Sequence, residues 1–224
     1  MLRLTLAATM GVAVLFFTAP ASAENSFAVG AQAGTDGLGV VAQAKFTQRI
    51  ALRAGYHDLS YDIDDENYDD ITYNGDLEFQ NIAASIEYHP FNNGWFIGGG
   101  AYFGDKMIGL AATPNGSVEI GDATFTSAEI GILTAETKLA DTAPYIGLGF
   151  DNAVFGGNSP LGFHASIGVM LTDTPEVSLV STGGTLSDDA TFQAELAREE
   201  QNLQDELDGF EYYPIAKVGV SLRF

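Results

Sequence analysis

An all-β fold, about eight antiparallel strands running up and down and closing into a barrel, follows from three observations. From Ser26 onward apolar residues recur at every second position over stretches of about ten, the period of a strand with one polar and one apolar face. The connections between these stretches alternate between short and long. The chain also stops on such a stretch, "YYPIAKVGVSLRF", with an aromatic residue at its end. Untied terminal residues fray, so a final strand of this regularity implies a neighbour to pair with.

The strands are expected, in order, over Ser26–Gly34, Leu38–Thr47, Ile50–Tyr61, Thr72–His89, Trp95–Ala112, Lys138–Ala153, Leu161–Val180 and Glu211–Phe224. In the last, Val218, Val220, Leu222 and Phe224 share one face and Lys217, Gly219, Ser221 and Arg223 the other. The seventh sets Phe163, Ala165, Ile167, Val169 and Leu171 against His164, Ser166, Gly168 and Met170. The fourth changes phase: Leu77 and Phe79 stand on odd positions but Ile82, Ala84, Ile86 and Tyr88 on even ones. A β-bulge near Gln80 and Asn81 is the simplest reading of that change. The connections "TQR", "PFNNG" and "GGNSP" are short, whereas those around 62–71, 114–137 and 181–210 are long; "TDG" at 35–37 is a short member of the second set.

Residues 1–23 read as an export signal, with Arg3, an apolar run from Leu4 to Phe17 and small residues "ASA" before a cleavage point, so that the mature barrel domain is 24–224. That run is shorter than the roughly 20 residues of a spanning helix. There is no cysteine, which removes disulfides and thiol lipidation. A net charge of -21 excludes a nucleic-acid surface, which needs clustered Lys and Arg.

Polarity separates a membrane barrel from a secreted sandwich. One face is filled by apolar side chains while the other carries Lys, Arg, Glu and many Gly, and aromatics (Tyr56, Tyr88, Phe91, Trp95, Tyr212, Tyr213) gather at strand ends, where a girdle meets lipid headgroups. Through "GTDGLG", "LRAGY", "EYHPF", "APYIGLG" and the closing strand, the sequence resembles the small eight-stranded outer-membrane barrels of Gram-negative bacteria, among them the OmpA-like transmembrane domain and the OmpW-like proteins. The resemblance implies a site in the bacterial outer membrane among lipid and lipopolysaccharide. It also implies recognition by the barrel assembly machinery through Phe224 with Leu222, Val220 and Tyr212 behind it. No periplasmic domain is expected after the final strand, so peptidoglycan binding is not carried over.

An eight-stranded barrel has an interior that side chains can fill. Lys45, Arg53, Glu87, His89, Lys217 and Arg223 are expected to point into it near the short-turn end, with Arg53 and Glu87 close enough in register to pair. Buried charges need such partners, so a register-fixing ion-pair plug is expected, with a narrow ion or solute channel as the alternative. Outside, "DIDDENYDD" holds Asp62, Asp64, Asp65 and Glu66; these would attract calcium but lack the spacing and central glycine of an EF-hand, so no metal site and no cofactor is expected. "SDDATFQAELAREEQNLQDELDG" reads as a helix over 187–208 capped by Ser187 or Asp188 and ended by Gly209, with Phe192, Leu196, Leu203 and Leu207 in one stripe. That stripe covers the barrel mouth or contacts a protein partner. His164 and Ser166 form a same-face base and nucleophile pair, but with no acid in view and the lumen around them catalysis is not expected.

Overall fold

The computed structural model describes residues 26–68, 71–155, 159–207 and 209–224. The expected export signal, Asp69 and Asp70 lie outside the described residues, as do the side chains of Asp64, Asp65 and Glu66. The chain is built almost wholly of antiparallel strands: β1 (Phe27–Gly34), β2 (Gly37–Lys45), β3 (Ile50–Tyr68), β4 (Ile71–Tyr88) and β5 (Trp95–Phe103). Then come β6 (Lys106–Pro114), β7 (Ser117–Ile120), β8 (Ala123–Thr126), α1 (Ser127–Ile130), β9 (Gly131–Lys138) and β10 (Thr142–Asp151). β11 (Leu161–Leu171), β12 (Glu176–Gly183), α2 (Ala190–Leu207) and β13 (Tyr212–Arg223) complete it.

Hydrogen-bonded pairing runs β4-β3-β2-β1-β13-β11-β10-β5, and β5 pairs again with β4, so the ladder returns to its start after eight strands. The final strand takes the place its pattern demanded, between β1 and β11, and the Phe224 amide donates to the Phe27 carbonyl at 2.8 Å. Two of the expected strands are divided. Trp95–Ala112 breaks at Gly104, whose φ of 132° suits only glycine, into β5 and β6. Leu161–Val180 breaks at residues 172–175 into β11 and β12. The expected Lys138–Ala153 starts in the ring only at Thr142, and the connection at 114–137 contains β7, β8, α1 and most of β9 rather than loop.

The change of phase in β4 is not a bulge. Its register with β3 is regular from Ile50↔Tyr88 to Ile63↔Gly75, and the one irregularity falls between Ile63 and Glu66. Side chains alternate without interruption: Phe79, Asn81 and Glu87 are buried inside, while Gln80, Ile82, Ile86 and Tyr88 face out. What changes is which face carries the apolar residues. Below Asn81 the apolar residues face out and the polar ones in; above it Glu78 and Asp76 face out while Phe79 and Leu77 share the inner side. β3 switches at the same level, from Leu52 and Tyr56 outside to Asp58, Ser60 and Asp62 outside, with Tyr61 and Ile63 on the inner side. The lower ring therefore wears an apolar belt: Ile82, Ile86, Ile97, Ile146, Ile167 and Val220 are 56 to 62% exposed.

Above the belt, one side of the ring continues as a wall, β3-β4-β6-β9-β12, while β1, β2 and β13 end lower. By register Leu179 of β12 lies beside Ala135, Leu110 and Gly75, on the inner face of this wall. There Phe192 and Leu196 of α2 bury Leu179 together with Ile120 and Ile130, and Phe125 meets Phe192 edge to face at 4.8 Å. Half of the expected stripe thus forms a core, with Leu203 partly buried beside it. The cap is Asp189, whose Oδ1 accepts from the amides of Thr191 (2.9 Å) and Phe192 (3.1 Å), rather than Ser187 or Asp188, and the helix stops at Leu207, before Gly209. Its first turn holds no acidic residue; the carboxylates farther along act elsewhere, as Glu200 accepts from the Leu179 amide at 2.9 Å and Glu195 and Glu199 hold the β7–β8 turn.

Phe192→Ala should remove about 3–5 kcal/mol of packing from this lobe. Amide hydrogen exchange should then rise in α2 and β12 and stay unchanged in β11 and β13; uniform loosening would show the lobe and ring to be one cooperative unit.

Candidate functional site

The interior of the ring holds a polar network centred on Arg53. From β3 its Nε donates to Glu87 Oε1 on β4 at 2.8 Å, its Nη2 to Asp151 on β10, and its Nη1 to Gln32 Oε1 on β1 at 3.3 Å. Four strands are thereby tied by one guanidinium, whose planar fork suits several carboxylate contacts at once. The Gln43 amide donates to Glu87 Oε2 at 2.5 Å, so this buried carboxylate has two partners.

Large side chains fit because the inner face is rich in glycine. A Cβ on Gly147 would collide with the Tyr145 hydroxyl oxygen, and one on Gly39 with the His57 ring, so both rings need a neighbour without a side chain. What remains is a cavity of ≈ 30 Å³ lined by Arg53, His57, Glu87, Tyr102, Tyr145 and Ser166 among others, room for about one or two waters.

The polar groups continue toward both ends. At the long-connection end Lys217 Nζ lies 2.8 Å from Asp36 and 4.8 Å from the centre of the Tyr102 ring, whose hydroxyl donates to the same carboxylate at 3.2 Å. The expectation that Lys217 sits near the short turns is corrected here: it pairs across from Gly34, next to the β1–β2 turn that carries Asp36. At the short-turn end His89 Nδ1 donates to the Asn93 carbonyl at 2.7 Å, its ring lies 3.8 Å from that of Phe155, and Lys45 Nζ is 5.1 Å from the centre of Phe155. Ala153 and Val154 are buried against Ala28 and Ala51, so the connection after β10 tucks into the ring and closes it from below. Arg223 lies on the inward side at the same end of β13. Of the girdle aromatics, Tyr56, Tyr88, Phe91, Trp95 and Tyr212 are exposed, but Tyr213 turns inward onto Phe79 at 5.2 Å.

Sequence reasoning found Arg53, Glu87 and Lys217 by their parity, and missed Asp36, Gln32, Asp151 and Lys106. Asp36 stands in the β1–β2 turn, where parity gives no direction, whereas Asp151 shares the inward parity of Gly147 and Gly149 on β10 and was overlooked. Lys106 fills the division between the paired strands: where β5 gives way to β6 and β9 to β10, its Nζ donates to the carbonyls of Gly104 and Ala140 (both 2.9 Å) and to that of Asp141 (3.3 Å), which also accepts from the Gly104 amide.

Asp151 also supplies the acid that sequence reasoning found lacking. His164 Nδ1 is 2.9 Å from Asp151 Oδ2 and His164 Nε2 is 2.9 Å from Ser166 Oγ, the connectivity of a nucleophile, base and orienting acid. Arg53 Nη2 also lies 2.7 Å from the same His164 Nδ1, and the cavity that His164 and Ser166 line measures ≈ 30 Å³. Glu87, Asp151 and His164 also bring ligand atoms within 4.8 Å of one another, but the guanidinium bonded to both carboxylates supplies the positive charge a metal would bring. The acidic stretch expected as a long connection is strand instead, residues 62–68 belonging to β3, and Asp62 is exposed on its outer face, opposite Asp76.

The chain therefore has the antiparallel, ring-forming β fold with an interior filled by polar side chains. No family model matches it, and no curated protein does. Among solved structures it is similar to Acinetobacter baumannii CarO, with a TM-score of 0.56 and 23% identity over 88% of this chain and 97% of that one. Acinetobacter baumannii CarO2 gives 0.59 and 22% over 89% and 98%. A major outer membrane protein of Thermus thermophilus overlays more loosely, at 0.43 and 12% over 89% and 99%.

Arg53→Met should cost about 3–5 kcal/mol, because Glu87 and Asp151 are left buried and uncompensated. Adding Glu87→Gln should restore part of that loss in a denaturant titration of the refolded chain; strictly additive losses would show that the two side chains do not act together.

Proposed function

We propose that the chain is an integral protein of the bacterial outer membrane, an eight-stranded up-and-down barrel whose role is structural and surface-interactive rather than enzymatic. The observation that carries this reading is the level at which the apolar face changes sides. Water cannot surround the belt formed by Ile82, Ile86, Ile97 and Ile146 without a large penalty, and lipid cannot surround Asp58, Glu78 and Asp76, so the switch marks the upper edge of a hydrocarbon layer. β10 and β11, with 10 and 11 residues, have the length of tilted transmembrane strands, about 9–11 residues. The short connections then face the periplasm and the wall with α2 faces outward, among lipopolysaccharide. The fold shared with CarO is compatible with this placement.

A narrow channel for ions or small hydrophobic solutes is the competing reading. The interior opposes it: the Arg53 network, Tyr102, Tyr145 and the tucked residues 153–155 fill the path. Planar-bilayer recordings of the purified chain should show no stable conductance steps, and reproducible unitary steps would replace this reading with the channel. Ser166 should likewise stay unlabelled by a fluorophosphonate in the folded chain.

The membrane placement makes a paired prediction. Ile86→Lys should destabilise the folded chain by about 2–4 kcal/mol if its position is near mid-bilayer, whereas Gln80→Lys, farther up the same face beyond Ala84 and Ile82, should be nearly silent; equal effects would remove the lipid boundary. Deleting Phe224, which closes β13 onto β1, should lower the amount of heat-modifiable protein in the outer-membrane fraction without lowering synthesis. Normal accumulation would show that the terminal aromatic is not an assembly signal.

A further inference from the structure

The two edges of the outer wall are treated differently. At one edge β12 is guarded by α2: Glu200 Oε2 accepts from the Leu179 amide (2.9 Å), Gln204 Oε1 from the Val177 amide (3.1 Å), and Gln204 Nε2 donates to the Pro175 carbonyl (2.6 Å). Side chains of one helix thus occupy the backbone groups that another strand would use. At the other edge β2 leaves β3 after Leu38↔Asp58, and among the described residues β3 continues past that point with β4 alone as its strand neighbour. Alternate backbone groups from Leu59 onward face outward with no strand to receive them. An open edge of this kind is a template for one more strand.

We infer that this edge, beginning at Leu59, receives an extended basic segment of another protein by strand addition. The proposal deepens the surface-interaction reading above. Its side chains specify the guest. Asp58 and Asp62 are exposed on the outer face with Ser60 between them, and Asp76 lies opposite Asp62 on the next strand, so guest residues on that face would meet a negative patch. Tyr61 and Ile63, 47 and 42% exposed, stand on the inner face, where the residues in between would meet an apolar surface continued by Leu77. A guest alternating basic and apolar residues matches both faces. A second copy of this edge does not, because it would bring the same carboxylates together on one face, and like charges close to one another across a ladder are destabilising.

The test uses the purified full chain in non-ionic detergent and a rhodamine-labelled heptapeptide, Lys-Val-Lys-Val-Lys-Val-Lys, followed by fluorescence anisotropy against empty micelles. Saturable binding of one peptide per chain is expected. The backbone is tested by two analogues of equal charge, one N-methylated at the valines and one at the lysines. A guest strand uses only one of its edges, so one analogue should bind at least tenfold more weakly than the other. The double variant D58N and D62N, on exposed side chains, should weaken binding at least fivefold, and the Glu-Val counterpart should not bind. Equal binding of the two methylated peptides would reduce the effect to charge alone and overturn strand addition; so would the absence of saturable binding, or a concentration-dependent dimer that competes with the peptide. Because the measurement is made on isolated protein, its failure leaves the membrane placement standing, and mislocalisation in cells leaves the binding result standing.

Discussion

One alternation has to serve two surroundings, and the rest of the structure depends on how it does so. A strand cannot change which of its faces a residue points to without a bulge, so β3 and β4 keep their parity from Ile50 and Tyr88 up to Ile63 and Gly75. The sequence instead exchanges what it puts on each face at Asp58 and Gln80. Below that level the apolar side chains of these strands point outward, and above it they point to the inner face of the wall, where farther along β9 and β12 the core shared with α2 lies. The same strands are thereby ring staves at one end and a packed wall at the other.

Turning the apolar face outward in the lower ring forces polar residues inward, and a space of about 30 Å³ cannot hydrate them. Single atoms of Asp36, Gln43, His57, Asn81 and His89 stay without a hydrogen-bond partner among the described residues, but most of these polar groups satisfy one another. Arg53 does so for Glu87 and Asp151 at once, Lys217 for Asp36, and Lys106 for three carbonyls where the paired strands divide. Each of these long cations joins elements distant in sequence, so each resists slippage of one strand past another as well as neutralising charge. The Asp151, His164 and Ser166 chain belongs to this system, with the Arg53 guanidinium also beside His164 Nδ1.

The wall above the belt adds an asymmetry the ring lacks. A closed ring has no edges, but a wall standing on part of its rim has two. Glu195, Glu199 and Glu200 of α2 serve one of them or the β7–β8 hairpin beside it, while the other edge carries exposed Asp58 and Asp62. Charge on this protein is thus distributed by structural task, and its large negative total says little until each carboxylate is placed.

The period of two, the short and long connections and the ending on Phe224 were enough to give the antiparallel β class, the approximate strands and the inward parity of Arg53, Glu87 and Lys217, because parity within a strand is a local property of the backbone. The height of Lys217 in the ring, the partners Asp36 and Asp151, and the inward turn of residues 153–155 were not legible, because they depend on register between strands far apart in sequence. The phase change in β4 shows the same division. Its residues announce that something alters between Phe79 and Ile82, and a bulge and a change of surroundings write the same pattern. Only the tertiary structure, by carrying β4 straight through against β3, decided that the strand was regular and that its apolar residues had changed face.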